Sequence, residues 1–278
     1  MRISPATTHR IAVIALWTLT GLTLGVLLFI IAYILWHGLP HITWEFLSDR
    51  PRAMGREGGV FPIIVGTAWV TALAILIAAP IGVGTAIYLT EYTREGRLTA
   101  VIRFGADCLA GIPSIIFGLF GFVFFVMHLG LGLSILSGAL TLALMVLPTI
   151  IRTSEEAIRA VPAVYRDVGY GLGGTRWQTV TRIVVRTALP GIGTGIVLSI
   201  GRSISETAAV MLTAGSALGF PHSVFDSSRT MALHFYTLSM EAISAEKAYA
   251  TASVLILAIL AINMAAYWIM QRFIGKTS

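Results

Sequence analysis

Charge is scarce in this chain of 278 residues. Asp, Glu, Lys and Arg together make up 12% of it, against about 25% in a soluble globular domain. With 56% apolar residues and a mean hydropathy of +0.85, the chain has too few polar groups to cover its own surface. That excludes a soluble domain, so lipid must cover much of it. Cysteine is nearly missing. The single Cys108 excludes an internal disulfide and says little about compartment. The six histidines are scattered without ligand-like spacing, so each reads as a packed or interfacial residue and no metal site is expected. No nucleophile–base pair is visible, and the chain does not read as an enzyme by itself. Nucleotide-binding loops are missing too. "GKT" at 275–277 lacks the P-loop glycine five positions before Gly275, where Met270 stands, and no strand precedes it. "GIGTG" at 191–195 opens an apolar run and has no βαβ setting. No cofactor is expected.

What the chain does have is long apolar runs. Six stand out, at about 11–36, 61–89, 104–129, 131–151, 189–214 and 248–273, each long enough to cross a bilayer as a helix. The first follows Arg2 and Arg10 as a signal peptide would. It is too long for that role and no A-x-A site follows, so a retained helix is expected. An N-terminus in the cytoplasm puts thirteen basic residues inside: Arg2, Arg10, Arg94, Arg97, Arg103, Arg152, Arg159, Arg166, Arg176, Arg182, Arg186, Arg272 and Lys276. Five fall outside, namely Arg50, Arg52, Arg56, Arg229 and Lys247. That bias places both termini in the cytoplasm. The expectation is an all-α polytopic protein of a prokaryotic inner membrane with six transmembrane helices. Residues 1–10 form a cytoplasmic N-terminus, 11–278 a single transmembrane domain with its core from about 60 to 273, and the net charge of +6 reflects arginine-rich inner loops.

Two connecting segments are long. Residues 37–60 lie outside. Residues 152–188 lie inside and read as two short amphipathic helices. The first is expected to start near Ser154, with Glu155 and Glu156 in an acidic first turn, and to break or restart at Pro162. Gly171, Gly173 and Gly174 make a turn. A second helix, "TRWQTVTRIVVR", places Trp177, Val180 and Val184 on one side. Such a helix–turn–helix offers a rigid knob to a partner, or else lies along the membrane interface. The prolines in "AAPIGVG" (78–84) and "AGIPSIIFGLFG" (110–121) predict kinks. Their glycines serve close helix packing or an irregular backbone along a pathway.

The fifth run carries charge where charge is costly. Arg202 and Glu206 stand in "GRSISETAAVM", and a lone ionised side chain at mid-bilayer costs roughly 2.5–3.5 kcal/mol. Gly195, Ser199, Arg202, Glu206 and Thr213 share one helix face by spacing, and Arg202 and Glu206, four apart, can pair along it. The pair either pins helices together or lines a pathway, where the Arg fork suits an oxyanion.

The 152–188 segment resembles the cytoplasmic coupling loop of ABC-importer permeases, whose pattern is E-A-A, three residues, G, nine residues, I-x-L-P. Asp167, Val168 and Gly169 stand at E-A-A, Gly173 and Ile183 match, and Arg186 stands at the proline. Further blocks, "GGVFPIIVGT" (58–67), "AIYLTEYT" (86–93), "GIPSIIFGLFG" (111–121), "LPTIIRTSEEAIRAVP" (147–162), "LPGIGTGIVLSIGRSISETAAVMLTAG" (189–215) and "AYATASVLIL" (248–257), are similar to the permease subunits of phosphate ABC importers. "SETAAVM" replaces their usual "GETAPL". The resemblance implies the six-helix type I importer (MetI-like) permease fold with a cytoplasmic coupling helix. It implies a second homologous permease subunit, an ATPase dimer docked on Asp167, Gly171, Gly173, Gly174 and Trp177, and an extracytoplasmic phosphate-binding protein. It also implies a pathway between the two permease subunits, with a transport-essential arginine at Arg202 and ATP hydrolysis in the separate ATPase; the polar stripe adds Glu206, Ser199 and Thr213 to Arg202 along that pathway. Transport of another oxyanion (molybdate, tungstate or sulfate), an ATP-independent secondary transporter, and a membrane anchor or sensor are the competing readings.

Overall fold

The computed structural model describes residues 5–94 and 96–274. Arg2, Lys276 and the "GKT" stretch lie outside the described residues. The fold is all-α apart from one small hairpin. Helix α1 (Pro5–Gly38) is followed by α2 (Trp44–Ser48) and the antiparallel strands β1 (Pro51–Arg52) and β2 (Glu57–Gly58). Then come α3 (Phe61–Ile87), α4 (Arg97–Ala110), α5 (Ser114–Gly121), α6 (Ile135–Arg159), α7 (Ala163–Gly171) and α8 (Arg176–Thr179). The last four are α9 (Val185–Ile204), α10 (Ala208–Thr213), α11 (Met231–Met240) and α12 (Ala245–Ile274). Wider π-type turns extend α3 through Tyr92 and α5 through His128, and join α8 to α9.

Five helical stretches are long and apolar enough to span a membrane, and the bent pair α4–α5 makes six if it counts as one span. The residues that α4 and α5 meet settle how the pair runs. Arg103 reaches Glu155, Asp107 meets Arg152, Gly121 packs on Thr141, and the Gly132 carbonyl accepts from Ser137. These partners climb steadily along α6, so the pair runs the full length of its neighbour as one broken span. The single helix expected over 104–129 is therefore corrected to two, joined at 101°. Gly111 and Pro113 stand two apart there, and Pro113 has an extended ψ of 140°. Pro80, Pro148 and Pro190 sit inside unbroken helices, so a proline alone does not end a span here.

Helix α6 is the central post. Its Ile135, Leu142, Val146 and Ile150 are fully buried against Val70, Ala74 and Ala78 of α3, Phe117 of α5, Ala209 and Val210 of α10, and Ala214 just after it. Small residues permit the approach. A Cβ on Gly138 would come within 2.7 Å of the Ala214 methyl, and one on Gly191 within 2.6 Å of the Ala157 methyl, the close packing that stands in for a hydrophobic drive inside lipid. By contrast α1 is exposed over nearly its whole apolar length. It touches α12 only near its end, where the Ser253 hydroxyl donates to the Ile34 carbonyl at 3.2 Å.

Three further expectations change. Ser154 caps nothing: it is fully buried inside α6, which continues through Glu155 and Glu156 to Arg159. Glu155 finds arginines on α4 and on α6 itself, and packing extends the helix beyond its apolar run. Trp177 does not share a face with Val180 and Val184. It is 66% exposed while both valines are fully buried, because α7 packs through Gly169 on Thr179 and Ile183 and leaves the indole outside. The fifth run is not one helix either. It ends at Ile204 and resumes at Ala208.

Candidate functional site

Chemistry concentrates at two heights. The first is the break between α9 and α10. Helix α9 runs antiparallel to α6, with Gly191 on Ala157 and Gly195 on Thr153. Arg202 lies seven residues beyond Gly195, about 10 Å further along at 1.5 Å per residue. That brings it level with the middle of α6, and so of the bundle. Arg202 occupies the last turn of α9, and its side chain is exposed on the same face as Thr194, Leu198 and Ser205. Glu206, half-buried, turns toward α10, where its Oε1 accepts the Ala209 N–H at 3.3 Å. No ion pair joins Arg202 and Glu206 among the described residues, which corrects the expected pairing along a helix. Each charge instead sits at the end of a half-helix where backbone dipoles favour it: the cation at a C-terminus, the anion at an N-terminus.

Ser199 and Thr213 do not join them. Both are fully buried, and their hydroxyls donate to carbonyls one turn back, Gly195 at 2.9 Å and Ala209 at 2.7 Å. They face the subunit's own packing, so the five-residue stripe separates into buried and exposed members. Periodicity cannot show this, because the break at 205–207 resets the phase.

The second height is the arginine-rich end. Pro162 starts α7, and a paired Gly turn closes it. The Gly173 N–H donates to Tyr170 and the Gly174 N–H to Gly169, with Gly173 at φ +79°. That is a Schellman closure, which needs a residue at ease in the left-handed region. Thr175 and Gln178 then form a reciprocal cap on α8. Gly169 packs on α8, where a Cβ would come within 2.6 Å of Thr179 Cγ2. This explains glycine where the resembling pattern has alanine. Asp167, Gly171, Gly173 and Trp177 are exposed and Gly174 is half-buried. Val164, Val168, Leu172 and Trp177 leave the segment with an exposed apolar surface, Leu172 at 82%. A patch of this kind marks a contact surface.

Sequence reasoning missed the residues that hold this segment in place. Glu91, at the end of α3, is buried, and Arg166 of α7 grips it: Nε lies 3.0 Å and Nη2 2.6 Å from Oε1. The same guanidinium donates to the Val161 carbonyl at 2.8 Å and the Ile158 carbonyl at 3.0 Å. Arg176 donates to the Glu91 carbonyl, and its guanidinium lies 5.1 Å from the centre of the Tyr92 ring. Nearby, Glu155 accepts from Arg103 at 2.7 Å and from Arg159 at 2.9 Å, and Asp107 pairs with Arg152, around a cavity of about 220 Å³. The available signal was a carboxylate closing an apolar span. In the sequence the arginines of this end mark sidedness and nothing more.

The opposite end buries cations differently. Arg229 is 5% exposed, and its Nε donates to the Ser216 carbonyl at 3.1 Å. Its Nη1 and the Nδ1 of the adjacent buried His234 lack hydrogen-bond partners. Burial pulls the Arg229 pKa down, with Glu241 opposing. Burial, and then the Arg229 charge, pull His234 from 6.5 to about 3. Among the described residues no cluster of His, Cys, Asp or Glu could hold a metal ion.

Residues 78–278 match the family described as binding-protein-dependent transport system inner membrane component. The chain is 30% identical over 261 residues to the probable ABC transporter permease protein YqgI of Bacillus subtilis (strain 168), covering 88% of this chain and 89% of that protein. It is 38% identical over 221 residues to the phosphate transport system permease protein PstA 1 of Mycobacterium tuberculosis (strain CDC 1551 / Oshkosh), covering 78% and 72%. The same fold appears in a bacterial ABC transporter that imports the acidic polysaccharide alginate (TM-score 0.63, 14% identity, 92% of this chain and 96% of that one). It appears again in the inward-facing methionine transporter MetNI (TM-score 0.63, 17% identity, 77% and 97%).

Proposed function

The chain belongs to the binding-protein-dependent transport system inner membrane components, and from that membership we propose that it forms half of the pathway of an ATP-driven inorganic phosphate importer. Several curated relatives are phosphate permeases of 35–38% identity, and they supply the substrate. The observation that carries the mechanism is Arg202: an exposed guanidinium with no ion-pair partner among the described residues, at mid-height where a spanning helix breaks. Discontinuous helices at the membrane midplane are a recurrent way to present charge to a transported ion.

In this reading a second homologous permease subunit covers the exposed face of α9, and the anion passes between the two past Arg202. The planar fork fits two phosphate oxygens. Glu206, held on the α10 N-terminus, tempers the attraction so that the anion can leave. Ser199 and Thr213 support the two half-helices from within. The arginine-rich end faces the cytoplasm with both termini. There Asp167, Gly171, Gly173, Gly174 and Trp177 form the knob that an ATPase dimer grips, and ATP is hydrolysed in that dimer. An extracytoplasmic phosphate-binding protein docks at the opposite end. Residues 152–188 remain the coupling segment in this reading, with their first third belonging to α6.

The test is ATPase activity of the reconstituted complex. Phosphate presented by the binding protein is expected to stimulate hydrolysis, while molybdate, tungstate and sulfate leave it at the basal rate. Stimulation by another oxyanion alone would transfer the assignment to that anion. Sidedness is checked separately with a thiol reagent: a cysteine at Thr175, in a Cys108→Ser background, is expected to resist an impermeant label in sealed cells.

A further inference from the structure

Arg166 does more than neutralise a buried acid. Standing on α7, it joins that helix to two others: its guanidinium meets the Glu91 carboxylate at the end of α3, the Ile158 carbonyl in the last turn of α6 and the Val161 carbonyl just beyond it. Arg176 adds a second grip on residues 91–92 from α8. Apolar packing below is continuous, with Ala86, Ile158, Val161, Val184 and Ala188 in one buried cluster. Helix α3 in turn packs along α6 at Gly82–Ile150 and forms one wall of an apolar groove shared with Ile200 and Ile204 of α9, Ile204 being the last residue before the break at 205–207.

We propose that the Glu91–Arg166 clamp makes the 163–179 knob and the end of α3 one mechanical body, so that movement of the docked knob is delivered to α3 and through it to the α9 break. Arg166 and Glu91 are positioning residues, acting on the pathway through α3. The inference rests on the reading of this knob as the ATPase-docking element. An exposed knob on a hinge would absorb the motion of its partner locally. A partly buried fork with three hydrogen bonds to the buried carboxylate and two more to backbone carbonyls leaves no such hinge.

The test uses the whole complex in proteoliposomes, with phosphate as the probe and Cys108→Ser as background. Replacing both partners, Glu91→Cys with Arg166→Cys, removes the clamp without stranding a buried charge. The complex is expected to assemble and hydrolyse ATP while phosphate imported per ATP falls about tenfold, within the usual range of coupling between sites. A short bis-maleimide bridge between the two cysteines is expected to restore that ratio, because the two sites need no relative motion. Arg166→Lys, which keeps the charge and loses the fork, is expected to give an intermediate ratio and serves if the double variant fails to assemble. Normal coupling in the unbridged double variant or in Arg166→Lys would overturn the clamp alone, as would a bridge that arrests transport. A wild-type complex whose knob makes no contact with the ATPase would overturn the docking reading and the clamp with it.

Discussion

Two arginines of this chain meet opposite fates. Arg166 is partly buried and makes hydrogen bonds to a carboxylate and to two carbonyls. Arg202 is exposed at mid-height and has no ion-pair partner among the described residues. The first holds three elements together. The second keeps its donors free, at the one height where an unpaired charge is most costly. The difference separates scaffolding from a presented charge. A guanidinium whose donors are filled has little left for a ligand, whereas a free fork is kept only where something else will fill it.

Removing either arginine should therefore have opposite consequences for folding and for transport. Arg166→Ala strands the buried Glu91 carboxylate, and removal of one partner of a buried pair costs about 3–5 kcal/mol. Thermal unfolding of the purified protein in detergent is expected to show a larger loss for this variant than for His234→Gln, Gly173→Trp or Arg202→Ala. A fall of less than about 1 kcal/mol would mean that the pair behaves as a solvated surface bridge.

The next largest effect lies at the opposite end of the bundle, where Arg229 and His234 are buried without an acid between them. The folded-state pKa of His234 is about 3, against 6.5 for an unperturbed histidine. The unfolded chain therefore takes up the proton first as pH falls, and stability declines from about pH 6.5 downward. Between pH 7 and pH 5 the loss is about 2 kcal/mol. Comparing unfolding at the two pH values is expected to show this slope in the wild type and its disappearance in His234→Gln. An unchanged slope in the variant would assign the pH dependence to other groups.

Gly173→Trp comes third. A Cβ at this position meets nothing within 4 Å inside the subunit, but its φ is +79°, and a non-glycine residue in the left-handed region costs roughly 1–2 kcal/mol. The subunit is expected to insert and fold while transport is abolished by collision with the docked partner. Normal transport in an assembled complex would remove this turn from the coupling element.

Arg202→Ala is the mildest for folding and among the most severe for uptake. Nothing in the subunit loses an ion pair, so stability is expected to change by no more than about 0.5 kcal/mol, as for an ordinary exposed substitution. Phosphate uptake is expected to be lost. Arg202→Lys is expected to retain part of it. The double variant Arg202→Ala/Glu206→Ala decides whether Arg202 differs in kind from Arg166. Uptake still absent in a complex that assembles places Arg202 in the pathway, and recovered uptake makes it a scaffold residue after all.

Much of the fold was legible in advance because hydropathy acts over local windows. The run at 61–89 and α3, the run at 131–151 and the first two-thirds of α6, and the run at 248–273 and α12 agree closely. The failures share one cause. Ser154 reads as a helix cap only if its helix begins there, and Arg103, reaching across from α4 to Glu155, lets α6 continue through it. Trp177 reads as a face-mate of Val180 by spacing alone, but α7 packs on the Thr179 side of that short helix and leaves the indole outside. Arg202 and Glu206 read as a pair only if one helix carries both. In each case a contact from another element, or a change of helical phase, overrode a correct local inference. The candidate site was half legible: Arg202 and the Gly173 turn announce themselves by charge in an apolar run and by glycine spacing. Glu91 does not.

By itself the sequence determined the class, where the apolar runs lie, the charged residues within them and the turn at 171–174. Each follows from quantities summed over neighbours in the chain: transfer free energy over some twenty residues, or the backbone freedom of a glycine. Tertiary structure alone decided which charges are paired and which are left open. Glu91 and Arg166 stand 75 positions apart, and no local pattern relates them. Only folding brings them within hydrogen-bond distance in a low-dielectric interior, where electrostatic attraction is strong enough to hold them. The same folding breaks the helix between Arg202 and Glu206, which local spacing would have joined.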